Sequence, residues 1–329
     1  MSITSYAPGS GRRVRPRSRM ASSAAEVDLS GTWRFRYSAR PDLAPAGAEA
    51  VDLDESGWDT IAVPSHWVLQ GREDWGRPIY TNVDFPFPVE PPHVPDENPT
   101  GDYRVAFDLP DGFGDRVYLR FDGVESVAVV SLNGVEVGVV RGSRLAQELD
   151  VTDEAVAGRN VLHVRVHQWS AGSYLEDQDQ WWLPGIFREV TVLARPARGI
   201  EDVWLRADYD PATGLGRILP EFRADAEAYP LTLRVAGTER TFASPEEVSV
   251  VEVGRSSRGA RTCPASTTLR WATPSRPAAC ASDSGGSRSS ATNGGSTGAS
   301  SACAASTGTS TTPTEAGCST RTRCAPSCT

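Results

Sequence analysis

Three acids crowd one short stretch of the chain, Glu176, Asp177 and Asp179 between Tyr174 and Trp182. Paired carboxylates can work as general acid and base, and acids at short spacing can hold a cation. Adjacent acids with no positioned base or cleft ordinarily cap a strand or face solvent, and that is the expectation for these three. Of the four histidines, His66, His93, His163 and His167, the last two form a His-x-x-x-His pair. On a strand that spacing puts both rings on one face without the helical geometry zinc sites use, so no zinc site is expected. All six cysteines, Cys263, Cys280, Cys303, Cys318, Cys324 and Cys328, lie late in the chain, at spacings that fit neither a paired-ligand zinc motif nor a compact disulfide module.

The elements that must position such residues read as strands. From Gly31 onward, short runs of alternating apolar and polar residues are separated by Gly, Pro, Asp and Asn. The runs Trp33 to Tyr37, Tyr103 to Leu109, Val117 to Phe121, Val127 to Leu132, Val135 to Val140, Val161 to Trp169 and Glu189 to Ala194 each suit a half-buried strand. Asn133-Gly134 is a strong hairpin signal, because both residues tolerate the positive φ of a type I′ turn. Helical periodicity of convincing length is absent. The fold class expected is therefore all-β, with a flexible arm over 1–28, then a jelly-roll sandwich over 29–195. Arg195-Pro196-Ala197-Arg198-Gly199 reads as a linker. Val203 to Ala207, Leu231 to Val235 and Val248 to Val253 then begin a partial immunoglobulin-like sandwich over 196–254, short of the seven strands such a domain needs and left with open edges.

Charge and composition divide the chain at Gly254. From Arg255 onward there are eight arginines against Asp283 and Glu315, a charge of +6, which leaves −15 on the first 254 residues. So acidic a body repels nucleic acid and anionic membranes, and neither partner is expected. Arg12, Arg13, Arg15, Arg17 and Arg19 are followed by no apolar run that could form the core of a signal peptide, which makes the expected location cytoplasmic. Lysine does not occur; all 33 basic residues are arginine, as a GC-rich gene would produce.

The segment 255–329 is rich in Ser, Thr, Gly and Ala, has Trp271 as its one aromatic, and reads at face value as a disordered tail. The same nucleotides read one base back suggest otherwise. In that frame each codon is nearly fixed by the next printed residue, so Ser256 to Ser266 can read V-E-P-W-S-A-D-L-P-R-L, and Ala305 to Cys328 can read G-I-N-R-H-E-H-H-P-D-R-G-R-V-F-D-E-D-A-V-R-A-E-L. These strings have the mixed charge and apolar alternation of globular protein, so a frameshift near Gly254 is expected.

Several motifs together resemble one known family. Leu29-Ser30-Gly31-Thr32-Trp33-Arg34-Phe35, Val63-Pro64-Ser65-His66-Trp67 and Pro78-Ile79-Tyr80-Thr81-Asn82-Val83 resemble the opening of the β-galactosidases of glycoside hydrolase family two. Pro91 to Pro95, Glu97 to Gly101, Trp169 to Asp179 and Trp182 to Arg188 continue the resemblance in the family order, and the alternate-frame N-R-H-E-H-H-P resembles the family's entry into its barrel. The resemblance implies a sugar-binding jelly roll, an immunoglobulin-like sandwich and then a (β/α)₈ barrel carrying two glutamates that hydrolyse a β-galactoside with retention. Both would lie past Thr329, so no catalytic residue is assigned in this chain, which is expected to be inactive alone.

The resemblance assigns Asn82 a contact with galactose in the intact enzyme, since an amide can donate to and accept from sugar hydroxyls. An asparagine between strands is ordinarily just a turn former. Where the family pattern W-S-D-G-S-Y often carries an acid, this chain has Ala171, which puts carboxylate help with sugar or a bound sodium in doubt. The magnesium and sodium of family enzymes would lie mostly in the barrel, so no cofactor is expected here. Trp169, Trp181 and Trp182 could stack on sugar faces, although large aromatics at strand ends more often pack in a core. The partner implied is a β-galactoside, with a homo-oligomer open to the full-length enzyme. The alternative is a non-catalytic carbohydrate-binding module, or a subunit-interaction fragment that pairs through its open strand edges.

Overall fold

The computed structural model describes residues 3–17, 19, 22–82, 84–235 and 237–254, and one further strand, Thr268–Trp271. The six cysteines, and the residues on which the alternate-frame readings rest, fall outside the described residues.

Strand formation follows the alternation of the sequence. In Gly31–Ser38, Trp33 and Phe35 point into the core while Arg34 and Arg36 face outward. This strand belongs to a seven-stranded antiparallel sheet whose spatial order is Gly9–Gly11, Val135–Arg141, Val127–Leu132, Gly158–His167, Thr100–Leu109, Gly31–Ser38 and Asp59–Val63. A four-stranded sheet packs against it, in the order Gln147–Asp150, Arg116–Phe121, Val190–Arg195 and Glu26–Asp28. Between them lies a core built on Trp33, Phe35, Trp67, Tyr103, Phe121, Leu162 and Val192. Phe35 sits edge-on to Trp75 at 4.6 Å and to Tyr103 at 4.8 Å. Each such ring contributes about 1.5–3 kcal/mol by leaving water. Among the described residues helix is confined to the turn Ser173–Glu176 and a few 3₁₀ turns, so the chain is all-β. No helix among them is long and apolar enough to cross a membrane.

The outer face of the larger sheet is buried through polar groups. Arg104, fully buried, donates Nε to Glu55 at 2.6 Å and its two terminal nitrogens to the carbonyls of Ala48 and Ala50. Arg165 donates to the Pro45 carbonyl at 2.7 Å and to Asp102 at 2.8 Å. The loop after Gly31–Ser38 is thereby held flat on the sheet.

Two features depart from the sequence reading. The arm is docked rather than free: Gly9–Gly11 pairs with Val135–Arg141, Arg13 bridges to Leu149, and Glu26–Asp28 pairs with Val190–Arg195. The reason is local, since Gly11 at φ +75° passes so close to Val137 that a Cβ would lie 2.5 Å from its carbonyl oxygen. Thr268–Trp271, inside the segment read as a disordered tail, pairs with Leu231–Val235. The unpaired edge of that strand is what an extended segment satisfies.

Beyond Arg195 the strands Ile200–Asp210, Leu215–Ala224 and Val251–Val253 form one three-stranded sheet, and Thr238–Phe242, Leu231–Val235 and Thr268–Trp271 another. A smaller core of Ile218, Leu233, Val235, Phe242, Val251 and Val253 belongs to them.

Candidate functional site

Asn82 lies at a bend that follows the short strand Ile79–Thr81, and it is exposed. That strand pairs with Gln180–Trp182, placing Trp181 opposite Tyr80. Trp182 Nε1 donates to Thr81 Oγ1 at 2.9 Å. Behind the pair, Phe85, Phe87, Trp169, Tyr174 and Trp182 form one aromatic pile, with Phe87 edge-on to Trp169 at 4.9 Å and Trp169 edge-on to Trp182 at 5.3 Å. The Tyr174 hydroxyl donates to the His93 carbonyl at 2.5 Å and accepts from the Glu90 N–H at 3.2 Å, so the loop around Asn82 is pinned at its far end.

Trp169 and Trp182 are core residues, as expected of large aromatics at strand ends. Trp181 differs: it is 52 % exposed and lies 5.4 Å from Tyr80, itself 48 % exposed. The reason is the alternation of the two-stranded pairing, which turns Trp182 inward and therefore Trp181 outward. The three acids do not converge on one point. Glu176 accepts from the Ser143 hydroxyl, and Asp179 accepts from the Tyr80 hydroxyl.

Two positioning residues escaped the sequence reading. Asn98, fully buried, clamps Trp169 at both ends of its peptide: Nδ2 donates to the Trp169 carbonyl and Oδ1 accepts its N–H, each at 2.8 Å. Its place in Glu97 to Gly101 marked it only as part of a resemblance. Glu125 is 4 % exposed and bonded to Arg144 at 2.8 Å. Arg144 also lies 3.8 Å from Glu176, so one guanidinium serves two carboxylates. Burial pushes the Glu125 carboxyl up to about 7, opposed by Arg144 and reinforced by the charge of Glu176. Glu125 is too deep to touch a sugar. His66 stacks on Phe187 at 5.2 Å, and burial lowers its pKa.

His163 Nε2 meets Asp102 at 2.8 Å and His167 Nδ1 meets Thr100 Oγ1 at 2.9 Å, so the two rings of the His-x-x-x-His pair engage different partners. Among the described residues no group of three or more His, Cys, Asp or Glu is arranged to hold a metal. Ala171 is fully buried and its N–H donates to the Ile3 carbonyl at 2.9 Å. A methyl offers a cation nothing, so the turn from Trp169 to Tyr174 does not fit a bound sodium through that side chain. What the arrangement can do chemically is present an amide and a half-exposed aromatic pair at one rim, groups that hydrogen-bond hydroxyls and stack on apolar ring faces.

An antiparallel β-sandwich with a polar, aromatic ledge at one rim is thus the class of protein defined. Residues 27–196 match the family described as glycosyl hydrolases family 2, sugar binding domain. The chain belongs to that family. It is 54 % identical over 269 residues to a β-galactosidase of Arthrobacter sp. (strain B7), covering 76 % of this chain and 26 % of the relative. It is 38 % identical over 259 residues to a β-galactosidase of Vibrio vulnificus (strain CMCP6), covering 77 % of this chain and 25 % of the relative. The chain therefore spans about a quarter of the length of these curated relatives. Among solved structures, a β-glucuronidase of Ruminococcus gnavus in complex with uronic deoxynojirimycin superposes with a TM-score of 0.54 at 16 % identity, over 73 % of this chain and 41 % of that one, a likeness of fold alone.

Proposed function

We propose that this chain is the amino-terminal portion of a retaining β-galactosidase that hydrolyses terminal β-D-galactosides, in which Asn82 contacts the sugar and the two catalytic carboxylates are supplied elsewhere in the enzyme. The observation that carries the reading is the 54 % identity to a β-galactosidase across three quarters of this chain. The exposed amide of Asn82 at a rim pinned by Tyr174 supports its contact role. Retaining hydrolysis needs two carboxyl groups about 5 Å apart flanking a bound glycoside. The carboxylates that share Arg144 do not provide this, because Glu125 is buried and Glu176 is bonded to Ser143.

The chain alone is accordingly inactive, the change of composition at Gly254 reflects a shift of reading frame, and the intact enzyme works in the cytoplasm, where it can assemble as a homo-oligomer. The test is a repaired gene, one base back from Gly254, expressed beside this chain. Nitrophenyl-galactoside hydrolysis by the repaired product and none by this chain is expected. Turnover by purified chain free of host hydrolase, or an inactive repaired product, overturns the reading.

One observation favours a second reading, a stand-alone carbohydrate-binding module: the half-exposed pair Tyr80 and Trp181 beside Asn82. Calorimetric titration of this chain with galactosides separates the two, a sub-millimolar Kd supporting the module.

A further inference from the structure

The arm meets both sandwiches at a cluster of arginines. Arg17, its side chain 9 % exposed, donates Nε to Glu148 at 2.9 Å and Nη1 to the carbonyl of Glu201 at 2.7 Å, while Nη2 is buried without an acceptor among the described residues. The other oxygen of Glu148 accepts from Arg120 at 2.9 Å, so one carboxylate is divided between two guanidinium groups. Arg195, at the end of Val190–Arg195, donates Nη1 to the Ala194 carbonyl at 3.0 Å and leaves Nε buried without an acceptor among the described residues. Burial, and then the nearby charge of Arg17, lower its pKa.

Arg17, Glu148, Arg195 and Glu201 wall a cleft of about 80 Å³, which Arg15, Arg116 and Arg223 also line. Its acids are Glu148, Glu201 and Asp225, against five arginines. The cleft is thus locally cationic in a chain whose net charge is −9. Like charges held together in a partly desolvated place raise the free energy of the folded state, and buried donors without acceptors add to it. An anion in the cleft relieves the first. One water needs about 10–15 Å³ of such space, so the cleft has room for a small oxyanion.

We propose that this cleft binds a small oxyanion, either inorganic phosphate or the phosphoryl group of a sugar phosphate, between Arg17, Arg195 and Arg223. Guanidinium groups match tetrahedral oxyanions through paired, charge-assisted hydrogen bonds. The bound anion ties the arm, through Arg17, to the strand Val190–Arg195 and to the strands Ile200–Asp210 and Leu215–Ala224.

The test uses the full chain at constant ionic strength, exchanging chloride for inorganic phosphate and, separately, for galactose 6-phosphate. Saturable broadening of the ³¹P resonance is expected. Tryptic cleavage after Arg13 and Arg17 should slow by roughly ten-fold or more at saturation, since the ligand binds only the docked arm. Arg195→Gln and Arg223→Gln should each weaken binding by about ten-fold or more with circular dichroism unchanged. Arg223, on the second sandwich, carries the decision if Arg195→Gln does not fold. Binding of both probes assigns free phosphate as a ligand, and binding of the sugar phosphate alone assigns the esterified group. No saturable effect over chloride, or binding unchanged in the folded variants, overturns the proposal and leaves an adventitious ion only.

Discussion

Replacing Glu125 by glutamine should remove a pH dependence that runs against the usual course of acid denaturation. Glu125 is buried, and its carboxyl titrates near 7 instead of the ordinary 4.5. Between those values the folded chain keeps a proton that the unfolded chain has released. The group's contribution to stability is therefore fully present below 4.5 and is lost as the pH rises through 7. A displacement of 2.5 on the pH scale corresponds to about 3 kcal/mol. His167 acts in the opposite sense, because burial, with help from the charge of Arg165 and against that of Asp102, pulls its pKa from 6.5 to about 4. Its contribution is present above 6.5 and is lost as the pH falls through 4, again about 3 kcal/mol. The two slopes offset one another between 4.5 and 6.5. In Glu125→Gln the falling slope disappears and the rising one from His167 is uncovered. Urea unfolding followed by tryptophan fluorescence, at half-unit steps from pH 4.5 to 8 and constant ionic strength, gives the difference between wild type and variant. That difference should fall by about 3 kcal/mol across the range. A difference independent of pH refutes the reasoning and shows that the 2.8 Å pair with Arg144 keeps Glu125 ionised throughout.

Substitutions at three positions probe the scaffold. Gly185→Ala should lower stability by about 3 kcal/mol in the same urea assay, because φ is +133° and a Cβ would lie 2.7 Å from the Ser65 carbonyl oxygen. Asn133→Ala should cost about 2–4 kcal/mol, since its side chain bonds Glu154, Asn160 and the N–H of Val161 at 2.8–2.9 Å and its φ is 50°; Asn133→Gly, which keeps the turn and loses the bonds, should fall between it and wild type. Arg120→Met should cost about 3–5 kcal/mol by leaving the buried Glu148 with one partner fewer, and a loss under 1 kcal/mol in thermal unfolding counts against the shared pair.

The strands legible in the sequence are those with one apolar face. Trp33 and Phe35 alternate with Arg34 and Arg36, and the strand lies where the pattern puts it. Leu215–Ala224 was not legible, because Pro220 interrupts the run and a proline inside a strand reads as a break. The buried polar face of the larger sheet was hidden for another reason. Asp102, Arg104, His163 and Arg165 look like solvent-facing residues, but a loop distant in sequence covers them, taking bonds from Arg104 and Arg165 on its carbonyls and Glu55 while Asp102 meets His163. The docking of the arm was equally invisible, since its pairing depends on glycines whose lack of a side chain carries no hydropathy signal.

The candidate site illustrates the same division between pattern and placement. A cluster of acids invites a catalytic reading, yet its members turn to different partners. Glu176 holds Ser143 beside Arg144, and Asp179 holds Tyr80, whose ring lies against Trp181. Glu176 and Asp179 thus brace the rim on which Asn82 stands. Asn98 and Tyr174 do so from behind, by fixing Trp169 and the carbonyl of His93. A sugar contact made by one amide from a separate part of an enzyme can only be effective if its position varies by a few tenths of an ångström, because misplacement weakens a hydrogen bond steeply. The bonds that brace the neighbouring strand and loop are therefore what the proposed contact by Asn82 would require of its scaffold.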